Sequence, residues 1–163
     1  MLWGGHQQQG RRPGTEPVAL VVGLVTALEL AQQEMSVRRD RVEILRRRFL
    51  ECLYASAAPV CLNGPAVGGV PHTLNLSFPG CQSDSLLMNL DLAEVACSTG
   101  SACSSGSLLP SPVLQAMGVP DEVLRSAMRF SLSPLLDEAA VDEAARRVVA
   151  VVQRLRRENI DSL

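Results

Sequence analysis

The 163 residues carry 15 basic and 17 acidic side chains, and the resulting net charge of −2 argues against a general nucleic-acid-binding protein. With 47% hydrophobic but only 3% aromatic residues, the chain can bury one aliphatic core. All 15 basic residues are Arg, so no side chain here can form the Schiff base that a Lys amine forms with a carbonyl group.

The hydrophobic periodicity predicts an α+β domain with a small antiparallel-type sheet covered by helices. In chain order we expect a loop over 1–17, a long helix over 18–55 with a bend near Ser36, a short strand over 60–62, a strand over 73–78, a helix over 83–92, a strand over 95–98, short helices over 112–117 and 121–127, a strand over 128–132 and a final helix. Candidate helix N-caps are Thr15, Ser83 or Asp84, and Asp137.

The second half of the long helix has two distinct faces. One is an apolar stripe made by Val42, Leu45, Phe49 and Cys52/Leu53. The other is rich in Arg, with Arg38, Arg39, Arg41, Arg46, Arg47 and Arg48. A phosphate-binding patch is one interpretation. We favour a solvated face whose charge is relieved by Asp40, Glu43 and Glu51.

The five cysteines indicate a reducing, cytoplasmic setting, because their count is odd and no CxxC pair occurs. They predict neither a metal site nor a disulfide framework. The chain start lacks the pattern of a signal peptide, and the most apolar run, 18–28, is only eleven residues. We therefore expect no membrane partner.

Cys103 stands out because it lies in a run of small residues, 98–107, that cannot form a core. A flexible linker would have this composition without needing a cysteine. An exposed loop cysteine is reactive, so Cys103 is a candidate nucleophile, a role that its residue type and position alone leave open. For Cys52, Cys61 and Cys97 a packing role is favoured, and Cys81 stays undecided.

Four segments resemble the group I cysteine desulfurases, the NifS/IscS kind of class V aminotransferase. In chain order they are "GGHQQQGRRPGTEP" (4–17), "PHTLNLSF" (71–78), "STGSACSSGSLLPSPVLQAMG" (98–118) and "MRFSLS" (128–133). They occur in the family's order over nearly all of the chain. The chain resembles the C-terminal portion of these enzymes only.

The resemblance implies the fold of the C-terminal small domain of fold-type-I enzymes, which use pyridoxal 5'-phosphate (PLP). Residues 1–17 would then be a loop at the edge of a missing large PLP domain, 18–55 a long connecting helix, and 56–163 the small domain with a mobile Cys loop over 97–111. The family's PLP Lys belongs to the missing domain. We therefore expect this chain to be a fragment or one part of a split enzyme.

The resemblance also implies a chemistry and its residues. Such enzymes are homodimers that take sulfur from L-cysteine and release alanine. Cys103 would carry the sulfur as a persulfide for an acceptor protein or thiol, in iron–sulfur cluster assembly or another sulfur-transfer pathway. Arg129 would bind the substrate α-carboxylate, and Thr15 would contact the PLP phosphate of the neighbouring subunit. His6 and His72 are interpreted as incidental.

Other interpretations remain open at this point. The chain could be a stand-alone sulfur carrier without PLP, or a module that pairs with a separate N-terminal polypeptide. It could be a selenocysteine lyase-like fragment, because that relative has similar flanking segments. It could also be a degenerate pseudoenzyme, although intact motif residues at Cys103, Arg129 and Thr15 argue against degeneration.

Overall fold

The structure is a computed structural model that describes residues 3–99 and 111–161. It divides into two units, Met1–Val37 and Arg38–Leu163. The predicted α+β class is confirmed: the second unit contains a small antiparallel sheet with helices packed on it.

Helix α1 extends over Val18–Ser56. The helix does not break near Ser36, because its hydrogen bonding continues through that residue, and a bend there stays a prediction. The N-cap prediction for Thr15 is wrong. The Val21 N–H donates to the Pro17 carbonyl at 3.1 Å, which makes Pro17 the N-cap. A helix that started earlier would need helical backbone at Glu16, which the ring of the following proline disfavours.

The first half of α1 is apolar and exposed. Its large apolar side chains, from Val18 to Val37, are all about half exposed or more. By length and composition α1 is sufficient to cross a membrane, although the core helix of a soluble protein passes the same test. The length of the uninterrupted apolar run, eleven residues, is therefore too strict a test for a membrane-spanning helix, because α1 as a whole passes by length and composition. The absence of a membrane partner stays a prediction.

The sheet has three antiparallel strands in the order β1 (Cys61–Leu62), β2 (Thr73–Ser77) and β3 (Ala127–Ser131). The strand predicted over 95–98 is wrong, since only Ser98 bridges to β3. The cause is local. The Val95 N–H donates to the Leu90 carbonyl at 2.8 Å, so it caps the C-terminal end of the helix over 83–92 and is not available for pairing with a strand.

Within the described residues the second unit also contains four further helices: α2 (Ser83–Leu92), α3 (Pro112–Ala116), α4 (Asp121–Arg125) and α5 (Glu138–Asp161). The Asp137 cap is confirmed, since its Oδ1 accepts the Ala140 N–H at 2.7 Å. The α2 cap is Gln82 and makes no side-chain bond, so the prediction of Ser83 or Asp84 is wrong. Asp84 lies in the first turn instead, where its charge favours the helix dipole.

The core lies between one face of the sheet and the apolar stripes of α1, α2 and α5. The predicted α1 stripe is confirmed, with Leu45, Phe49 and Leu53 buried. The Phe130 ring contacts Phe49 at 5.3 Å and Phe78 at 6.4 Å between ring centroids. The three phenylalanines thus meet at one point of an otherwise aliphatic core, while Trp3 and Tyr54 are exposed.

The Arg-rich face of α1 is not simply solvated. Arg48 pairs with Asp142 at 2.5 Å and with Glu138 at 3.0 Å, so it ties α1 to α5. Arg46 is buried. The expected relief by neighbouring acids on the helix holds for Arg47, which lies 4.0 Å from Glu51. Periodicity along one helix cannot show that a second helix supplies the partners.

Candidate functional site

A row of polar side chains crosses the sheet on the face opposite the core. Arg129 stands directly opposite Asn75 in the β2–β3 register, and Ser98 bridges to Arg129 on the other side. Asn63 extends the row, because its N–H donates to the Asn75 carbonyl at 2.9 Å. Strand alternation explains the row: Met128 and Phe130 point into the core, so Arg129 between them points outward.

Arg129 is exposed, and its guanidinium has no hydrogen bond or ion pair within 3–99 and 111–161. A guanidinium offers two parallel N–H donors that match the two oxygens of a carboxylate. The side chain is therefore available for an anionic ligand.

Ser98 joins Arg129 to the segment that contains Cys103. The Ser98 N–H donates to the Arg129 carbonyl at 3.0 Å, and the Arg129 N–H donates to the Ser98 carbonyl at 2.7 Å. Cys103 itself, with most of the predicted Cys loop, lies outside the described residues.

The orientation of Asn75 is set by a hydrogen-bond chain. Asn63 Nδ2 donates to Asn75 Oδ1 at 2.8 Å and to Ser77 Oγ at 2.7 Å, and Ser77 Oγ donates to the Val123 carbonyl at 2.6 Å. The Asn75 Oδ1 is thus occupied, while its Nδ2 has no partner in the described part of the chain. Sequence reasoning missed Asn63 and Asn75. The "TLNLS" alternation places Asn75 on the polar face, but only the register shows that it faces Arg129.

Thr15 belongs to the first unit. It is exposed, and its hydroxyl makes no hydrogen bond among the residues that the structure describes. The loop before it is held by side chains: Gln7 Oε1 accepts the Gly14 N–H at 3.1 Å, and Gln8 Nε2 donates to Glu16 Oε1 at 2.7 Å. The Gln8 bond, with help from the charge of Arg12, lowers the pKa of the Glu16 carboxyl.

Two of the described cysteines have thiols that are disfavoured as nucleophiles. Burial, and secondarily the Asp91 charge, raises the pKa of the Cys97 thiol to about 11. Burial also raises the pKa of Cys81, which lies in the core. A raised pKa leaves little thiolate, so the Cys81 and Cys97 thiols suit packing. Cys52 and Cys97 pack against that core, as predicted, whereas Cys61 lies on the edge strand β1 and is not among the residues of the core.

His72 makes a backbone hydrogen bond just beyond the β2–β3 pairing: its carbonyl accepts the Leu132 N–H at 2.7 Å. Among the described residues, no group of three or more His, Cys, Asp or Glu side chains could hold a metal ion.

Comparison with known proteins places the chain in a family. The sequence profile of the family Aminotransferase class-V matches residues 5–143. The chain is 40% identical over 156 residues to cysteine desulfurase IscS of Pseudomonas putida (strain W619), which covers 96% of this chain and 38% of that protein. It is 42% identical over 153 residues to cysteine desulfurase of Mus musculus, which covers 94% of this chain and 33% of that protein.

A solved structure agrees with these matches. A NifS-like protein superposes with a TM-score of 0.77 at 28% identity, over 94% of this chain and 39% of that one. The chain thus spans well under half the length of these relatives. From the profile match and the sequence identity, we conclude that the chain belongs to the class-V aminotransferase family.

Proposed function

We propose that this chain works as the C-terminal part of a PLP-dependent cysteine desulfurase, which takes sulfur from L-cysteine and releases alanine. The proposal is carried by the pair of backbone bonds between Ser98 and Arg129. They join the segment that leads to Cys103 to the residue assigned to the substrate carboxylate. Two relatives at about 40% identity that are named cysteine desulfurase support the assignment.

Arg129 orients the substrate. Its exposed guanidinium, which has no partner among the described residues, binds the α-carboxylate of L-cysteine through charge-assisted hydrogen bonds. Asn75 Nδ2, opposite Arg129 and without a partner in the described residues, is a second donor on the same face. Because Asn63 holds the Asn75 carboxamide, this donor needs no reorganisation when the substrate binds.

Cys103 accepts the sulfur. Its thiolate attacks the substrate sulfur, and an S–S bond forms while the substrate Cβ–S bond breaks. The electron pair of the broken bond stays with the carbon fragment, which takes up a proton and leaves as alanine. Cys103 retains a persulfide for transfer. The raised pKa values of Cys97 and Cys81 make those two thiols poor competitors for this step.

PLP fits this chain only in part. Bound PLP supplies the electron sink that makes the substrate Cβ–S bond cleavable. Thr15 can contact its phosphate, since the Thr15 hydroxyl is exposed and has no partner in the described residues. The chain has no Lys, so the amine that holds the PLP aldehyde comes from a large N-terminal domain outside these 163 residues.

The proposal includes partners and a location. The complete enzyme is a cytoplasmic homodimer, and residues 1–17, 18–55 and 56–163 serve as domain edge, connecting helix and small domain. A sulfur-acceptor protein or thiol takes the persulfide sulfur, for iron–sulfur cluster assembly or another sulfur-transfer pathway. Neither a nucleic acid nor a membrane takes part.

The test is a mass measurement on the holoenzyme after reaction with L-cysteine in the absence of an acceptor. We expect the Cys103 peptide to gain the mass of one sulfur atom, with an equal amount of alanine released. Cys103→Ser should abolish the added mass, whereas Cys61→Ser, a matched control, should keep it. Sulfur release at full rate by Cys103→Ala would overturn the proposal.

The same measurement separates the competing functions. A persulfide that forms on Cys103 only when an active desulfurase is added, and never with a PLP-binding domain and L-cysteine, would favour the sulfur-carrier function. Efficient reaction with L-selenocysteine but not with L-cysteine would favour the lyase function.

A further inference from the structure

Arg46 is a buried positive charge without an acidic partner. Only 8% of the residue is exposed. Its Nη1 donates to the Thr73 carbonyl at 2.9 Å and to the Pro71 carbonyl at 3.5 Å. Within 3–99 and 111–161 no carboxylate lies within 4 Å of it, whereas Arg41 and Arg48 on the same helix both pair with Glu138. A buried charge is normally paired, because leaving water is costly for it.

The remaining donors of Arg46 are not sealed inside the protein. Nε and Nη2 make no hydrogen bond with the described residues. Every buried side-chain nitrogen or oxygen in the described part of the chain has a partner, so these two nitrogens keep access to solvent. The Nε–Nη2 edge of a guanidinium presents two parallel donors, which match two oxygens of a carboxylate or phosphate.

A cavity of about 490 Å³ adjoins Arg46 on the β1–β2 side of the sheet. Its polar lining consists of Arg46, Asn63, His72, Thr73 and Asn75, and the rest is apolar or glycine. No Asp or Glu is among the described residues that line it. The lining thus places the Arg46 guanidinium beside polar side chains and no carboxylate among the described residues.

We infer that this cavity binds a small oxyanion, a carboxylate or a phosphate group, on the Nε–Nη2 edge of Arg46. The Nη1 bonds to the 71–73 backbone hold the guanidinium, so the edge is presented without reorganisation. The inference rests on the contacts of Arg46 and is independent of the proposed desulfurase activity.

The test is equilibrium dialysis of the full chain against radiolabelled inorganic phosphate and, in a separate arm, radiolabelled acetate. Sodium chloride holds the ionic strength constant, so nonspecific charge effects are equal in both arms. We expect saturable binding of one anion per chain in at least one arm. Saturation by phosphate alone assigns a phosphate ligand, and saturation by acetate assigns a carboxylate ligand.

Matched variants decide whether Arg46 is responsible. Arg46→Gln should weaken binding by at least about 10-fold, the effect of losing charge-assisted hydrogen bonds. Arg47→Gln removes a charge one residue away whose partner is the exposed Glu51, and should change the affinity less than about 2-fold. Val70→Asp leaves Arg46 in place but puts a negative charge at the cavity lining, so it should abolish binding even where Arg46→Gln fails to fold.

No saturation in either arm would overturn the inference, as would equal losses in the Arg46 and Arg47 variants. Persulfide formation on Cys103 is measured separately, so either result leaves the desulfurase proposal to its own test.

Discussion

Ser98 and Arg129 exchange two backbone hydrogen bonds, of 3.0 and 2.7 Å, although they are far apart in the chain. This single bridge attaches the segment that leads to Cys103 to the middle of β3. It is also what remains of the strand that the sequence predicts over 95–98.

Removing one bond of this bridge should destabilise the second unit. Ser98→Pro deletes the N–H that donates to the Arg129 carbonyl. We expect the free energy of unfolding to fall by about 1–3 kcal/mol, measured by urea denaturation. Ser98→Ala keeps both backbone bonds and serves as the control. Equal stabilities for the two variants would show that the bridge contributes nothing.

Arg129 should matter for substrate and not for stability. Its side chain is exposed and unpaired in the described residues, so Arg129→Gln should change the free energy of unfolding by less than about 0.5 kcal/mol. Losing charge-assisted bonds worth about 1.5–3 kcal/mol should lower kcat/KM of the holoenzyme for L-cysteine about 10- to 150-fold. Steady-state kinetics measure this, with the exposed Arg125→Gln as control. Unchanged kinetics in Arg129→Gln would remove Arg129 from the substrate site.

The exposed apolar half of α1 should make the isolated chain associate with itself. Leu20, Leu24 and Leu28 recur at four-residue spacing and are 73%, 61% and 60% exposed. Burying such side chains gains about 1.5–3 kcal/mol each. The triple change to Gln should shift the chain toward monomer on gel filtration, and Leu92→Gln, on α2 and 82% exposed, should not. A monodisperse monomer of the unchanged chain at high concentration would contradict this expectation.

The α1–α5 ion pair should contribute to stability in a pH-dependent manner. The hydrogen bond from Arg48, supported by its charge, lowers the pKa of the Asp142 carboxyl below its ordinary value of 3.8. A carboxyl with a lowered folded pKa adds stability above the unfolded pKa and loses it as the pH falls through the folded pKa. The unchanged chain should therefore be more stable than Asp142→Asn near about pH 6, and the gap should close near about pH 2.

Urea denaturation at several pH values measures that gap. Arg48→Gln should reduce the stability gained at higher pH in the same way, because it removes the other partner. A gap that stays constant down to the lowest pH would mean that Asp142 acts by packing and not by charge.

Cys97 should be slow in thiol–disulfide exchange. Its pKa of about 11, against an ordinary 9.0, lowers the thiolate fraction about 100-fold at neutral pH. Greater intrinsic nucleophilicity offsets part of this, so the rate should fall at least about 10-fold relative to a free thiol. Peptide mass mapping after reaction with an aromatic disulfide reagent measures it, with Cys103 as the fast comparison. Equal rates for the two thiols would refute both assignments.

The sequence by itself determined the fold class and most of the elements, the strand expected over 95–98 being the exception. The α1 stripe through Leu45 and Phe49, the strands around 73–77 and 127–131 and the Asp137 cap all follow from periodicity and from bonds between near neighbours. Such signals depend on residues within a few positions of one another, so they are readable without a fold. The family resemblance likewise rests on local motifs.

Only the tertiary structure decided which side chains meet. Asn75 faces Arg129 because of the β2–β3 register. Arg46 is buried where α1 packs near the 71–73 segment, whose carbonyls accept its Nη1 hydrogen bonds. The pairing of Arg48 with Asp142 likewise joins two helices far apart in the chain. These contacts join residues separated by tens of positions, and packing of the sheet against α1 and α5 brings them together. Periodicity along one element carries no information about a partner on another.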